Sequence, residues 1–196
     1  IAVAQGFVML LNHGTTPDGW KCSALYDVTD WTPSISTQSN EGRLIEGQGA
    51  ITAGLRMGDT IVAYKERGIF VGIYVGGDVV WRWTMPVGDV GCVGVEAVAD
   101  TPRGHVFVGS DNVYLFDGAR AQAVGDQIRQ WWIDNSSSQF RYRTKLMWDR
   151  DNALVWMFYP GVNSSECDRT LVFHVPSGRW GVSDLTVEAV LNYTSQ

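Results

Sequence analysis

Histidine is the usual proton carrier near neutral pH, and this chain has only three: His13, His105 and His174. His174 lies inside the apolar run Leu171-Val-Phe-His-Val175, and His105 opens the run that begins at Val106. Both read as hydrogen-bonded strand residues rather than general bases. The 21 acidic residues could supply the carboxylate pair of a glycosidase. Most of them, including Asp59, Asp111, Asp117, Asp149 and Asp151, fall where a turn needs an Asp to bond its own backbone. No G-x-S-x-G elbow, Lys-containing phosphate loop or H-E-x-x-H pair is present, and the S-x-D-x-G-x-T-W box of sialidases is missing.

Cys22, Cys92 and Cys167 stand about 70 residues apart, without the C-x-x-C pairs of a zinc site or the dense even set of a disulfide scaffold. They read as small buried hydrophobes. Asp149-Arg-Asp-Asn152 loosely resembles a calcium loop but lacks the downstream Gly and bidentate Glu, so a plain turn is expected. Asn135-Ser-Ser, Asn163-Ser-Ser and Asn192-Tyr-Thr fit the glycosylation pattern and are read as polar turns and a strand end. The residues thus predict no enzyme, no cofactor and no metal.

The elements that would position such groups are short. Apolar runs of four to seven residues alternate with Gly, Asp, Asn, Ser and Pro, with almost no stripe at helical spacing. Ile61-Val-Ala-Tyr-Lys65 and Ile69-Phe-Val-Gly-Ile-Tyr-Val75 flank Glu66-Arg-Gly68 as a hairpin. A second pairs Val106-Phe-Val108 with Val113-Tyr-Leu-Phe116, and a third pairs Lys145-Leu-Met-Trp148 with Ala153-Leu-Val-Trp-Met-Phe-Tyr159. Gly77-Asp78, Asp117-Gly118 and Pro176-Ser-Gly178 supply further turns. The hairpin centres at Arg67, Asp111 and Asp151 are 44 and 40 residues apart, the size of one four-stranded propeller blade.

One stretch breaks the β pattern. In Gly125-Asp-Gln-Ile-Arg-Gln-Trp-Trp-Ile133, Ile128, Trp131 and Trp132 recur at helical spacing, with Asp126 placed to cap a short helix. The expected fold is therefore all-β: a single β-propeller-like domain over residues 1–196, built of four-stranded antiparallel blades with one short helix, in a fragment of a longer chain. A β-sandwich would carry similar turn spacing and stays open as the alternative.

The apolar share of 45% and the nine Trp exclude a disordered chain. No apolar run approaches the ~20 residues of a membrane span, so no membrane partner is expected. The net charge of −6 argues against a protein that grips nucleic acid.

Over residues 20–132 the order of features resembles virion proteins of tailed bacteriophages, notably the β-propeller tail hub or nozzle proteins of short-tailed phages. It is carried by Cys22-Ser-Ala-Leu-Tyr-Asp-Val-Thr-Asp-Trp-Thr-Pro-Ser34, Gly49-Ala-Ile-Thr-Ala-Gly-Leu55, Asp59-Thr-Ile-Val-Ala-Tyr64 and Gly68-Ile-Phe-Val71. Gly88-Asp-Val-Gly-Cys-Val-Gly94, Gly104-His-Val-Phe-Val-Gly-Ser110, Val113-Tyr-Leu-Phe-Asp-Gly118 and the Trp131-Trp132 end of the helix complete it.

The resemblance implies a structural component of a phage tail or head-to-tail connector, located in the virion and assembled in the bacterial cytoplasm. It implies a homo-oligomer, typically a hexamer, that meets portal, adaptor and other tail proteins around the DNA exit channel. DNA would pass a net negative surface without being specifically bound. Trp81, Trp83, Trp131 and Trp132 are the candidate interface residues, each with packing inside the fold as its alternative. A carbohydrate-binding or glycan-processing propeller is the competing expectation.

Overall fold

A computed structural model describes residues 1–187 and residue 189; the sequon at Asn192 lies outside the described residues. The fold is mostly β, with 54% of residues in strands against 5% in helix. Sixteen strands among the described residues form four antiparallel four-stranded sheets, each a meander whose strands pair in chain order. The first sheet holds β1 (Ala2–Ala4), β2 (Phe7–His13), β3 (Thr16–Cys22) and β4 (Asn40–Arg43). β5 (Gln48–Met57), β6 (Thr60–Arg67), β7 (Ile69–Gly76) and β8 (Val80–Val87) make the second. The third comprises β9 (Val98–Thr101), β10 (Gly104–Val108), β11 (Val113–Phe116) and β12 (Ala121–Ala123). β13 (Lys145–Asp149), β14 (Leu154–Pro160), β15 (Cys167–His174) and β16 (Arg179–Ser183) build the fourth.

All three expected hairpins form, but their repeat differs from the expected one. The turns near Arg67 and Asp111 join second to third strands, whereas the turn near Asp151 joins the first strand of its sheet to the second. The structural repeat shows in the first strands, which start at Ala2, Gln48, Val98 and Lys145, intervals of 46, 50 and 47 residues. The 40-residue step compared turns that occupy different places in their sheets.

Within the span expected as one domain, the chain divides into two compact units: residues 1–91 with 118–120, and residues 92–117 with 121 onward. In the first unit the core gathers Phe7, Met9, Trp20, Ile61, Phe70 and Trp81 from the first and second sheets. β6 is buried continuously from Ile61 to Lys65, which is why Ile-Val-Ala-Tyr shows no polar alternation: the strand is covered on both faces. Lys65, only 2% exposed, sends its Nζ to the carbonyls of Leu44, Glu46 and Gly47, each at 3.0 Å. That ammonium fastens the link between β4 and β5 to the middle of the second sheet.

In the second unit, β10 and β11 form the buried centre of the third sheet, and Met157, Phe158, Leu171 and Phe173 fill the fourth. Phe173 stacks on Trp180 at 4.8 Å, and the Trp180 indole donates to the Val124 carbonyl at 2.8 Å, joining β16 to the end of β12. Gly94 admits the backbone of the segment before β13: a Cβ there would lie 2.0 Å from the Tyr142 carbonyl oxygen.

Among the described residues the one α-helix, α1, runs from Arg129 to Asn135, later than the 125–133 expected. Asp126 does not cap it. Its carboxylate accepts from the Asn112 side-chain amide at 2.8 Å, and the amides of Val124 and Gly125 still donate to the Val113 carbonyl. β-type pairing thus holds the backbone past Gly125 and delays the helix, whose start at Ile128 carries no side-chain cap.

Candidate functional site

The four candidate tryptophans divide by environment. Trp81 is 2% exposed, set edge-on against Phe7 at 5.5 Å, and Trp132 is fully buried, edge-on to Tyr159 at 5.2 Å. Both belong to cores, the alternative read for them from the sequence: apolar packing within the chain uses their rings. Trp83 is half-buried. It lies over its cross-strand partner Gly72, where a Cβ would meet the ring at 2.8 Å, and its centroid is 5.8 Å from that of Trp20. Trp20 in turn covers its own cross-strand glycine, Gly42. The pair shields two side-chain-free stretches of backbone, a use of aromatic rings that restores the packing glycine lacks.

Trp131 is different, with 45% of its surface exposed. Its indole N–H donates to the Tyr159 hydroxyl at 3.2 Å, and its carbonyl accepts the side-chain amide of Asn135 at 3.0 Å. Asn135, at the end of the same helix, helps to line an open pocket of about 330 Å³ together with Gly161, Val162, Asn163, Ser164, Asp168 and Arg169. The helix supplies one wall because Ser136 bridges to Gly161 and the Ser137 amide donates to the Pro160 carbonyl. The opposite wall is the β14–β15 link, whose start is fixed by the Gly161 amide donating to Asp168 at 2.6 Å. Two of the sequons read as polar turns, at Asn135 and Asn163, thus line one cavity. Sequence spacing gave no sign of this, since 28 residues separate them.

The histidines are not brought together in one site. His174 pairs its Nδ1 with the Ser177 hydroxyl at 2.7 Å across the β15–β16 turn, as a strand residue bonded locally. His105 is fully buried in β10, with Nε2 3.8 Å from an Asp100 oxygen on the neighbouring strand. Asp149 bonds the amides of Asp151 and Asn152 and the Asn152 side chain, the turn read from the sequence. Those bonds, the Asn152 side chain foremost, hold its carboxyl below the usual carboxylate range. Among the described residues no group of three or more His, Cys, Asp or Glu is placed to hold a metal.

All three cysteines are buried, and none is in a disulfide. Burial pushes the Cys92 thiol up to about 12 and the Cys167 thiol up to about 11, and raises Cys22 as well. Because the thiolate is the reactive species, none should act as a nucleophile at neutral pH. We expect iodoacetamide at pH 8 to leave all three unmodified in the native protein and to alkylate all three in denaturant, as read by intact mass. Labelling of any one in the folded chain at the rate of a small thiol would refute the assignment.

No protein-family model matches the chain, and no curated protein matches its sequence.

Proposed function

We propose that this chain is a structural component of a bacteriophage tail or head-to-tail connector, and that its sheets are successive blades of a β-propeller. The observation that carries the reading is the recurrence of one unit: a four-stranded meander every 46 to 50 residues, judged by first strands at Ala2, Gln48, Val98 and Lys145. Within the first unit β1 lies against β5, and within the second β9 lies against β13, so in each unit the first strands of consecutive sheets are neighbours. Blades stacked about an axis bring their innermost strands together in this way. A lone four-stranded sheet would leave both faces wet, and β6, β10 and β11 are buried on both.

The step from blade to phage rests on the resemblance over residues 20–132. Its product is a homo-oligomeric ring, typically a hexamer, that meets portal, adaptor and tail proteins in the virion. The net charge of −6 suits a channel wall along which DNA slides without capture. Of the four candidate tryptophans, Trp131 offers the most exposed ring for a contact with a neighbour.

Native mass spectrometry and electron microscopy of the full-length protein test the reading, with closed rings of one subunit number as the expected result. A protein that stays monomeric at micromolar concentration alone and with its neighbouring virion proteins would overturn it. Retention of duplex DNA by those rings at physiological salt would overturn the sliding surface.

A further inference from the structure

We propose that the pocket between the C-terminal end of α1 and the β14–β15 link is a binding site for a neutral saccharide. Its lining pairs unlike polar groups. Asp168 presents an acceptor-only carboxylate, the Arg169 guanidinium is donor-only, and the Asn163 amide can do both, while the Ser164 hydroxyl has its proton committed to the Glu166 carbonyl. Among the described residues the side chains of Arg169 and Asn163 make no hydrogen bond or ion pair, so both are available to a ligand. One oxygen of Asp168 is held by the Gly161 amide, which fixes the carboxylate without using its other oxygen.

Sugar hydroxyls match this mixture because each can donate to the carboxylate and accept from the guanidinium or amide. An anion would be opposed by Asp168 in the same small space. A bare cation would find one carboxylate beside an arginine, with no metal-holding cluster among the described residues. An apolar ligand would bury the charges of Asp168 and Arg169 without replacing their water.

Two aromatic side chains are linked to the lining residues without lining the pocket themselves. Arg169 is the cross-strand partner of Tyr159, so their side chains share a face of the fourth sheet, and Trp131 is anchored on the Tyr159 hydroxyl. Trp131, 45% exposed, lies on α1, the helix whose last residue, Asn135, lines the pocket. A volume near 330 Å³ is at the small end for ligand sites and suits one or two sugar rings.

This assignment is independent of ring assembly. Saturation-transfer NMR on the intact chain would use the methyl glycosides of glucose, galactose, mannose and N-acetylglucosamine, with methyl glucuronide and inorganic phosphate as the anionic arm. At least one neutral glycoside should bind, and Arg169→Ala and Asn163→Ala should each weaken it tenfold or more while the thermal midpoint and the subunit number stay unchanged. The proposal fails if no neutral glycoside binds at millimolar concentration, if only the anions bind, or if both variants bind as well as the parent.

Discussion

Lys65→Met is expected to destabilise the first unit by about 2–4 kcal/mol, although methionine nearly matches the lysine stem in volume. The reason lies in what the ammonium leaves behind. Lys65 is 2% exposed, and its Nζ satisfies the carbonyls of Leu44, Glu46 and Gly47 at 3.0 Å each. An ammonium has three protons, and here each has one acceptor. Methionine removes the desolvated charge, which is a gain, but strands three acceptors, of which the Leu44 carbonyl is in the buried bond. A buried acceptor left alone costs about 1–3 kcal/mol, so the loss outweighs the gain. Urea unfolding followed by fluorescence and by amide exchange in β5 and β6 would measure it. A change below about 0.5 kcal/mol would mean that water replaces the ammonium freely and that the β4–β5 link is not fastened there.

Lys65 also marks where sequence reading stops. The run Ile61-Val-Ala-Tyr announced a strand, and the hairpin to Ile69 formed in the expected place. Nothing in Tyr64-Lys65-Glu66 distinguished a buried lysine from the exposed charge that usually ends a strand. The acceptors come from a segment about 20 residues earlier, and only tertiary packing joins them. Polar strands were hidden for a related reason. β4 reads Asn-Glu-Gly-Arg and β3 contains Pro17, Asp18 and Gly19, compositions that signal a loop. They become strands because backbone pairing with a neighbour overrides local preference, with Trp20 laid over Gly42 and the Arg43 guanidinium bound by both oxygens of Asp18. The central hairpins were legible because they are covered on both faces and so are apolar without interruption.

The candidate pocket was legible only in pieces. Trp131 and the sequons at Asn135 and Asn163 were singled out as surface features, but Asp168 and Arg169 sit in Cys-Asp-Arg-Thr, which carries no motif. Their position follows from the register that sets Arg169 opposite Tyr159. The irregularity between Tyr159 and Pro160 shifts that register just before the pocket, and a shift of this kind has no signature in a single sequence.

Trp132 and Trp131 adjoin in sequence but should respond very differently to substitution. Trp132→Ala is expected to cost about 3–5 kcal/mol, the range for deleting a large aromatic side chain from a core. The ring is fully buried against Tyr159, and the Arg141 guanidinium lies over it at 5.0 Å. Arg141 is itself held by Ser136 and by the Ser110 carbonyl, and burial lowers its pKa. Removing the ring therefore takes a favourable face from a cation that its other bonds keep in place. Trp132→Phe should cost less, about 1–2 kcal/mol, because the indole N–H has no hydrogen-bond partner among the described residues and its loss strands nothing. Trp131→Ala, at a half-exposed position, should change stability by less than either. Denaturant unfolding of the three variants gives the order directly, with subunit number measured alongside. If Trp132→Ala kept its stability and lost only assembly, the ring would have to be an interface residue after all, and the core packing described for the second unit would be wrong.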